Sequence, residues 1–364
     1  MRIYFVFYIL LIGIYIFKRR DDEESQKKAN IRAAIFAFLG LTLLMGLKAD
    51  YIGIDTGNYI NKYMFAERLM QNIEKNGEYG YVYFMNFFKQ ICGFGWRRYI
   101  FSVALIIYAC NISFFYKYSK NVALTVLIFC TIGNFTMYMS GLRQTIAISM
   151  CLVAYMILVS DLKVIIRYVL FCMIVFAATT IHQSAYIFYV VLLFYNLKVS
   201  KNMVYILIFF ALGALFYRNA LVEIIEKVMP IKYEIYNLYD SEYVMNKLLI
   251  VIDFLIPLLA NFLSDENKDN GKYDRITSTM FIMSSLNLLF MILVQNNNQL
   301  GRLGYYFVNS NAILIPNAIK RIKSSEERSM VVYITLIICF IYFAMATDGG
   351  ILHIDNYRFF WEKY

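Results

Sequence analysis

Apolar runs return along the whole chain, from "IYFVFYILLIGIYIF" near its start to "MVVYITLIICFIYFAMA" near its end. Most reach roughly 17–20 residues, the length a helix needs to cross the hydrocarbon core of a bilayer. Inside that core no water meets a backbone N–H or C=O, so only helices and closed barrels can span it. Barrel strands are short and alternate in polarity, and no such pattern occurs here. The sequence therefore predicts an all-α polytopic integral membrane protein. Composition agrees: 60% of the 364 residues are hydrophobic and only 16% are charged, too little polar surface for a soluble domain of this length.

Twelve spans are expected, at 1–17, 31–48, 99–116, 122–140, 142–159, 164–180, 183–197, 203–217, 247–263, 276–294, 303–319 and 330–346. The first ends in "FKRR" and lacks a small-residue cleavage site, so it reads as a retained span. The run 81–93 is short and contains Lys89, which suits an interfacial or re-entrant helix. With twelve spans, the basic connectors "KRRDDEESQKK", "KYSK", "DLKVIIR", "NLKVSK", "NKDNGKYDR" and "IKRIKSSEER" all fall on one side. Short basic loops stay in the cytoplasm, which places both termini on the external face. The larger external loops are then about 49–98 and 218–246, and the whole chain, 1–364, reads as a single transmembrane domain. Its formal charge of +10 fits contact with anionic membrane lipids at the cytoplasmic face and calls for no nucleic acid.

Chemistry is sought at ionisable groups near membrane depth, which are costly and rare. Arg143 stands in "YMSGLRQTIA", at a tight turn between two spans. A guanidinium fork suits phosphate oxygens, although a snorkelling helix-end arginine would look the same. Arg302 follows an amide cluster, Gln295 to Gln299, whose donors and acceptors match sugar hydroxyls as well as a solvated turn. Tyr305 and Tyr306 come next, as sugar platforms or belt aromatics. His182, in "IHQSA", is a candidate base or a helix-end packing residue. Asp55, in "GIDTGNYINKY", is a candidate carboxylate or the cap of a helix starting near Thr56. Glu78, in "NGEYGY", ranks as a weaker second carboxylate. Asp253 lies inside a span, where Lys247 or an arginine would be its natural partner. His353 has no supporting context.

Other chemistries have no signal. The six cysteines all fall in apolar runs without metal or redox spacing, so they read as packing thiols. There is no phosphate-binding loop of the Walker type, no HExxH and no Asp-x-Asp pair to hold a divalent metal for nucleotide-sugar chemistry. No metal and no cofactor are expected.

Read in order, "DTGNY", "GEYGYVYF", "GLRQTIA", "IHQSA" and "GRLGYYF" form a series. It resembles the EpsG-like branch of the Wzy-type polysaccharide polymerases of bacteria, across about residues 30–320. The resemblance implies a multi-pass enzyme of the bacterial plasma (inner) membrane with a GT-C-like, all-helical glycosyltransferase architecture. Such enzymes transfer a glycan from undecaprenyl diphosphate to a new lipid-linked repeat unit on the external face, with the lipid diphosphate leaving. A flippase and a chain-length regulator are the implied partners. Carried onto this chain, Arg143 would bind the diphosphate, with Arg302 as a second clamp and Arg97 and Arg98 assisting. His182 and Asp55 compete to accept the acceptor proton. Gln144, Tyr59, Asn297, Tyr305 and Tyr306 would orient sugar. The family pattern assigns no single catalytic acid. A lipid-linked glycan ligase is the nearest alternative. A transporter or flippase is the alternative of another class, but it predicts polar groups reaching both faces and an internal repeat.

Overall fold

The computed structural model describes residues 2–16, 22–71, 73, 78–131, 134–228, 247–263, 272–293, 298–348 and 357–362. The described residues are mostly helical, and their only β pairings are isolated bridges. The helices are α1 (Arg2–Ile16), α2 (Glu23–Gly46), α3 (Thr56–Met64), α4 (Ala66–Gln71), α5 (Tyr79–Cys92), α6 (Trp96–Tyr118), α7 (Val122–Thr131), α8 (Asn134–Ser140) and α9 (Leu142–Leu158). There follow α10 (Val164–Ile181), a 3-10 helix (Gln183–Val190), α11 (Val191–Phe194), α12 (Lys201–Gly213), α13 (Arg218–Val228) and α14 (Lys247–Leu263). The last are α15 (Arg275–Leu293), α16 (Asn298–Gly304), α17 (Asn309–Ile319) and α18 (Ser325–Asp348).

Polar connectors supply the helix starts. Asp22 caps α2 through the Ser25 N–H at 2.8 Å, with Glu23 and Glu24 in the first turn against the positive helix end. Ser200 caps α12 through the Met203 N–H, and Asp274 accepts from Ile276 and Thr277 at the head of α15.

Among the described residues five helices are long and apolar enough to cross a membrane: α2, α6, α10, α15 and α18 as far as Ala344. Six apolar stretches are shorter, between 10 and 17 residues. Three of the expected runs are not described as single helices. The run expected at 122–140 contains α7 and α8, with 132–133 between them outside the described residues. The run expected at 183–197 opens as a 3-10 helix and continues as only four residues of α11. The run expected at 303–319 is interrupted after Gly304 by a turn before α17. Hydrophobicity does not register such breaks. Irregular backbone within a membrane protein survives only where protein or a polar cavity meets its freed groups.

The short helix expected at 81–93, as an interfacial or re-entrant element, is α5, Tyr79–Cys92. It buries Tyr81, Val82, Met85 and Phe88 and exposes Tyr83, Phe87 and Ile91. Lys89 is buried too. Its ammonium donates to the Met64 carbonyl at 2.9 Å and pairs with Glu67 at 3.4 Å.

The chain forms two compact units, Met1–Tyr189 with Glu326–Tyr364, and Val190–Ser325. In the first, α2 packs on α6, α6 on α9, α9 on α10, and α10 on α5. In the second, α15 is buried nearly all round against α12, α14, α16 and α17. Asp253, 3% exposed, lies at the centre of this unit. Its carboxylate accepts from the Asn311 amide at 2.8 Å, and the Asn311 oxygen accepts from the Ser284 hydroxyl. Among the described side chains Asp253 meets an amide, and the side chain of Lys247, one of the basic partners expected for it, lies outside them. A neutral donor meets the buried oxygen without bringing a second charge into the bundle.

Candidate functional site

Three elements distant in sequence meet in the first unit around one carboxylate. Arg143 is the second residue of α9, directly after the break at Gly141. Glu78 heads α5, and His182 ends α10 in an extended conformation. The Arg143 guanidinium donates to Glu78 Oε2, and the two form an ion pair. Glu78 Oε1 lies 2.8 Å from His182 Nδ1. The same oxygen accepts from the Gln183 backbone N–H at 3.4 Å. All three side chains are largely shielded, at 26%, 18% and 14% exposed for Arg143, Glu78 and His182.

Close approach of α5 and α10 makes this meeting possible. A Cβ on Gly80 would stand 1.9 Å from the Thr180 hydroxyl oxygen, so only glycine fits there. The motif "GEYG" thus places its glutamate beside the histidine that ends the facing helix.

Aromatic rings floor the cluster. The Arg143 guanidinium carbon lies 5.9 Å from the ring centres of both Tyr59 and Tyr81, within cation–π range. Tyr81 accepts from the Tyr99 hydroxyl at 3.1 Å, and Tyr99 stacks on Tyr63 with centroids 4.2 Å apart. Burial raises the Tyr59 phenol above its usual range, while Arg143 pulls it the other way. Arg143 Nε is buried with no hydrogen-bond partner among the described residues. An unmet buried donor costs about 1–3 kcal/mol.

Two further charges border the cluster. Lys62, on α3, is pushed below the usual lysine range by burial, and the positive charge of Arg143 adds to the shift. Asp55 acts in the opposite direction on the same lysine. Asp55 does stand at the head of α3, as expected, but its side chain makes no capping bond. Its backbone N–H donates to the Ser140 hydroxyl at 3.3 Å.

Of the residues expected at a site, the structure brings together Arg143, His182 and Tyr59, with Asp55 at the border. Gln144 adjoins Arg143 but is buried in the core. Arg97 is engaged elsewhere, stacked over Trp96 and Phe360 at 5.2 and 4.6 Å from their ring centres. Arg98 lies beside Gly95 and acts on Tyr63. Arg302, Tyr305 and Tyr306 belong to the second unit. There Arg302 is exposed on α16, Tyr305 is half-buried, and Tyr306 is 1% exposed, a packing position. Asn297 and His353 lie outside the described residues.

Glu78 and Lys62 are the functional candidates that sequence reasoning ranked low or passed over. Both sit among polar neighbours, so neither stands out as a charge in apolar surroundings. The available signal for Glu78 was the pair of glycines around it, one of which marks the close helix contact.

No curated protein and no solved structure matches this chain. The EpsG family profile matches residues 31–351, a stretch that contains the Arg143–Glu78–His182 cluster and both border charges. Covering most of the sequence, that match shows that the chain belongs to the EpsG family, membrane proteins of polysaccharide biosynthesis.

Proposed function

We propose that the protein is a polysaccharide polymerase that joins repeat units carried on undecaprenyl diphosphate, at the external face of the bacterial plasma membrane. The observation that carries this reading is Glu78. It links a cation suited to a leaving diphosphate, Arg143, to an imidazole suited to an acceptor proton, His182.

In the transfer, an acceptor hydroxyl oxygen forms a bond to the anomeric carbon of the donor sugar. The bond from that carbon to the phosphate oxygen breaks, and its electron pair leaves on the lipid diphosphate. The hydroxyl proton passes to His182. With Glu78 accepting from Nδ1–H, Nε2 is the basic nitrogen of the neutral ring, and the ring is held in one orientation. The charge that grows on the leaving oxygen is met by Arg143, with Lys62 as a second cation. Tyr59 and Tyr81 support the guanidinium from below. Asp55, whose side chain makes no helix-capping bond, accepts from a sugar hydroxyl in this proposal. This chemistry needs no metal from the residues named. Arg302, from the second unit, remains a second candidate for the diphosphate. A flippase that delivers the lipid-linked unit and a chain-length regulator are the partners this role implies.

The test is purified protein in lipid nanodiscs with undecaprenyl-diphosphate-linked repeat units, read as a ladder of products. Arg143→Ala is expected to lower the rate by about 10²–10³-fold, the cost of losing one group that meets developing charge. Arg143→Lys should fail nearly as badly, because an ammonium cannot reproduce the fork. Normal ladders from Arg143→Ala would overturn the role given to Arg143, and no ladder from the unaltered protein would overturn the polymerase reading. Transfer to a lipid A core or a protein, without chain growth, would reassign the protein as a ligase.

A further inference from the structure

The loop that carries Asp55 is held from two directions. On one side lies the C-terminal segment 357–362, antiparallel to residues 47–49. The Ala49 N–H donates to the Arg358 carbonyl and the Phe360 N–H to the Leu47 carbonyl, both at 3.0 Å. The Tyr357 hydroxyl donates to the Leu44 carbonyl at the end of α2, also at 3.0 Å. Phe359 stacks on Trp361 with centroids 4.5 Å apart, and Arg97 covers Phe360.

On the other side is Lys48, 4% exposed. Its ammonium donates to the Thr56 hydroxyl oxygen at 2.8 Å and to the Met139 carbonyl. Thr56 passes its own hydroxyl hydrogen to the Ile52 carbonyl at 2.6 Å. Gly53 has φ +85°, and a Cβ there would stand 2.4 Å from the Met139 oxygen. With the Asp55 N–H on the Ser140 hydroxyl, the loop meets α8 through the Lys48 ammonium, the Gly53 backbone and the Asp55 amide. All three meet Met139 or Ser140. These are the last residues before Gly141, and Arg143 follows two positions later.

A buried ammonium is an expensive way to hold a loop, and an apolar side chain of similar length would pack at lower cost. What the lysine adds is direction. Its hydrogens fix a hydroxyl on one segment and a carbonyl on another at a defined separation. The tail adds the backing, since it pairs with the residues on either side of Lys48.

We propose that Lys48 and the C-terminal segment 357–362 form a strap that positions the Asp55 loop against the start of α9, and so sets Arg143 for glycan transfer. Lys48 is a positioning residue in this account, and the proposal rests on the polymerase reading above. The strap itself is a statement about backbone order that can be measured without activity.

Three variants of the full protein in nanodiscs test it: Thr56→Val, which is isosteric but lacks the hydroxyl; Thr56→Ser, which keeps it; and a chain ending at residue 356. Amide hydrogen exchange is followed over residues 50–57 and, as a check on folding, over α6. In Thr56→Val and in the shortened chain, the Asp55 and Thr56 amides are expected to exchange about tenfold faster or more, with α6 unchanged. The turnover number should fall by about tenfold with KM for the lipid-linked donor held within about threefold, as misplacement of a group that acts in the transition state predicts. Thr56→Ser should retain both protection and turnover. Unchanged exchange over 50–57 would overturn the strap, and so would a loosened loop with full turnover. Should the unaltered protein give no ladder, the polymerase reading falls, and the exchange measurement still judges the strap alone.

Discussion

Glu78 decides what its two neighbours can do. Arg143 and His182 were visible in the sequence because each interrupts apolar residues, and such groups are expensive unless they meet a partner. Their partner ranked only as a weaker carboxylate, since "NGEYGY" looks like any polar turn. Burial and the approach of α10 turn that glutamate from a solvated residue into a bridge, and neither follows from local sequence. Glu78→Gln separates its two duties. The amide oxygen can still accept from His182 Nδ1–H, but the ion pair with Arg143 is lost. Initial polymerisation rates are expected to fall by about 10–100-fold, the usual cost of removing a group that orients a functional histidine or cation. His182→Ala should cost more, about 10²–10⁴-fold, as loss of a general base does. Equal, small effects from both would argue that Glu78 only neutralises a buried cation.

At the scale of elements, helix boundaries flanked by polar turns were legible. The spans expected at 142–159 and 164–180 correspond to α9 and α10 within a residue at each end. The run at 303–319 was not legible as a turn followed by α17, because apolar content stays high through residues 305–308 while the helix stops. The contact between α5 and α10 was equally hidden, although it places Glu78. Its signature is Gly80. Gly80→Ala would drive a methyl group into Thr180, and the two helices must separate by more than a few tenths of an ångström. A cost of about 1–3 kcal/mol in stability is expected from such overpacking. Activity should fall further than stability alone explains, because Glu78 and His182 are drawn apart. Adding Thr180→Gly removes the nearest two atoms of the clash but leaves the Thr180 backbone carbon 2.9 Å from the new Cβ. The double variant should therefore recover part of both losses in a thermal-shift and a polymerisation assay. No recovery would show that Gly80 matters for some reason other than this contact.

For the whole molecule, the membrane class followed from run length alone, and the all-helical fold bears it out. The two-unit division of the chain and the return of residues 357–362 to residues 47–49 did not follow from the sequence. Both depend on contacts between segments hundreds of residues apart, and hydropathy carries no trace of them. Orientation can now be tested at positions whose surroundings are known. The polymerase reading requires the cluster to face outward, where flipped lipid-linked sugars arrive. Gly57, on α3 beside Asp55 and Thr56, has open space around its Cβ, and Asp161 is exposed in a basic connector expected inside. The native cysteines are buried or half-buried, so introduced thiols can be read over them. Gly57→Cys is expected to react with an impermeant maleimide in intact spheroplasts, and Asp161→Cys only after lysis. The opposite result would put the Arg143 cluster on the cytoplasmic face. Its diphosphate ligand would then have to be met before flipping, which is incompatible with a polymerase that uses lipid-linked units from outside.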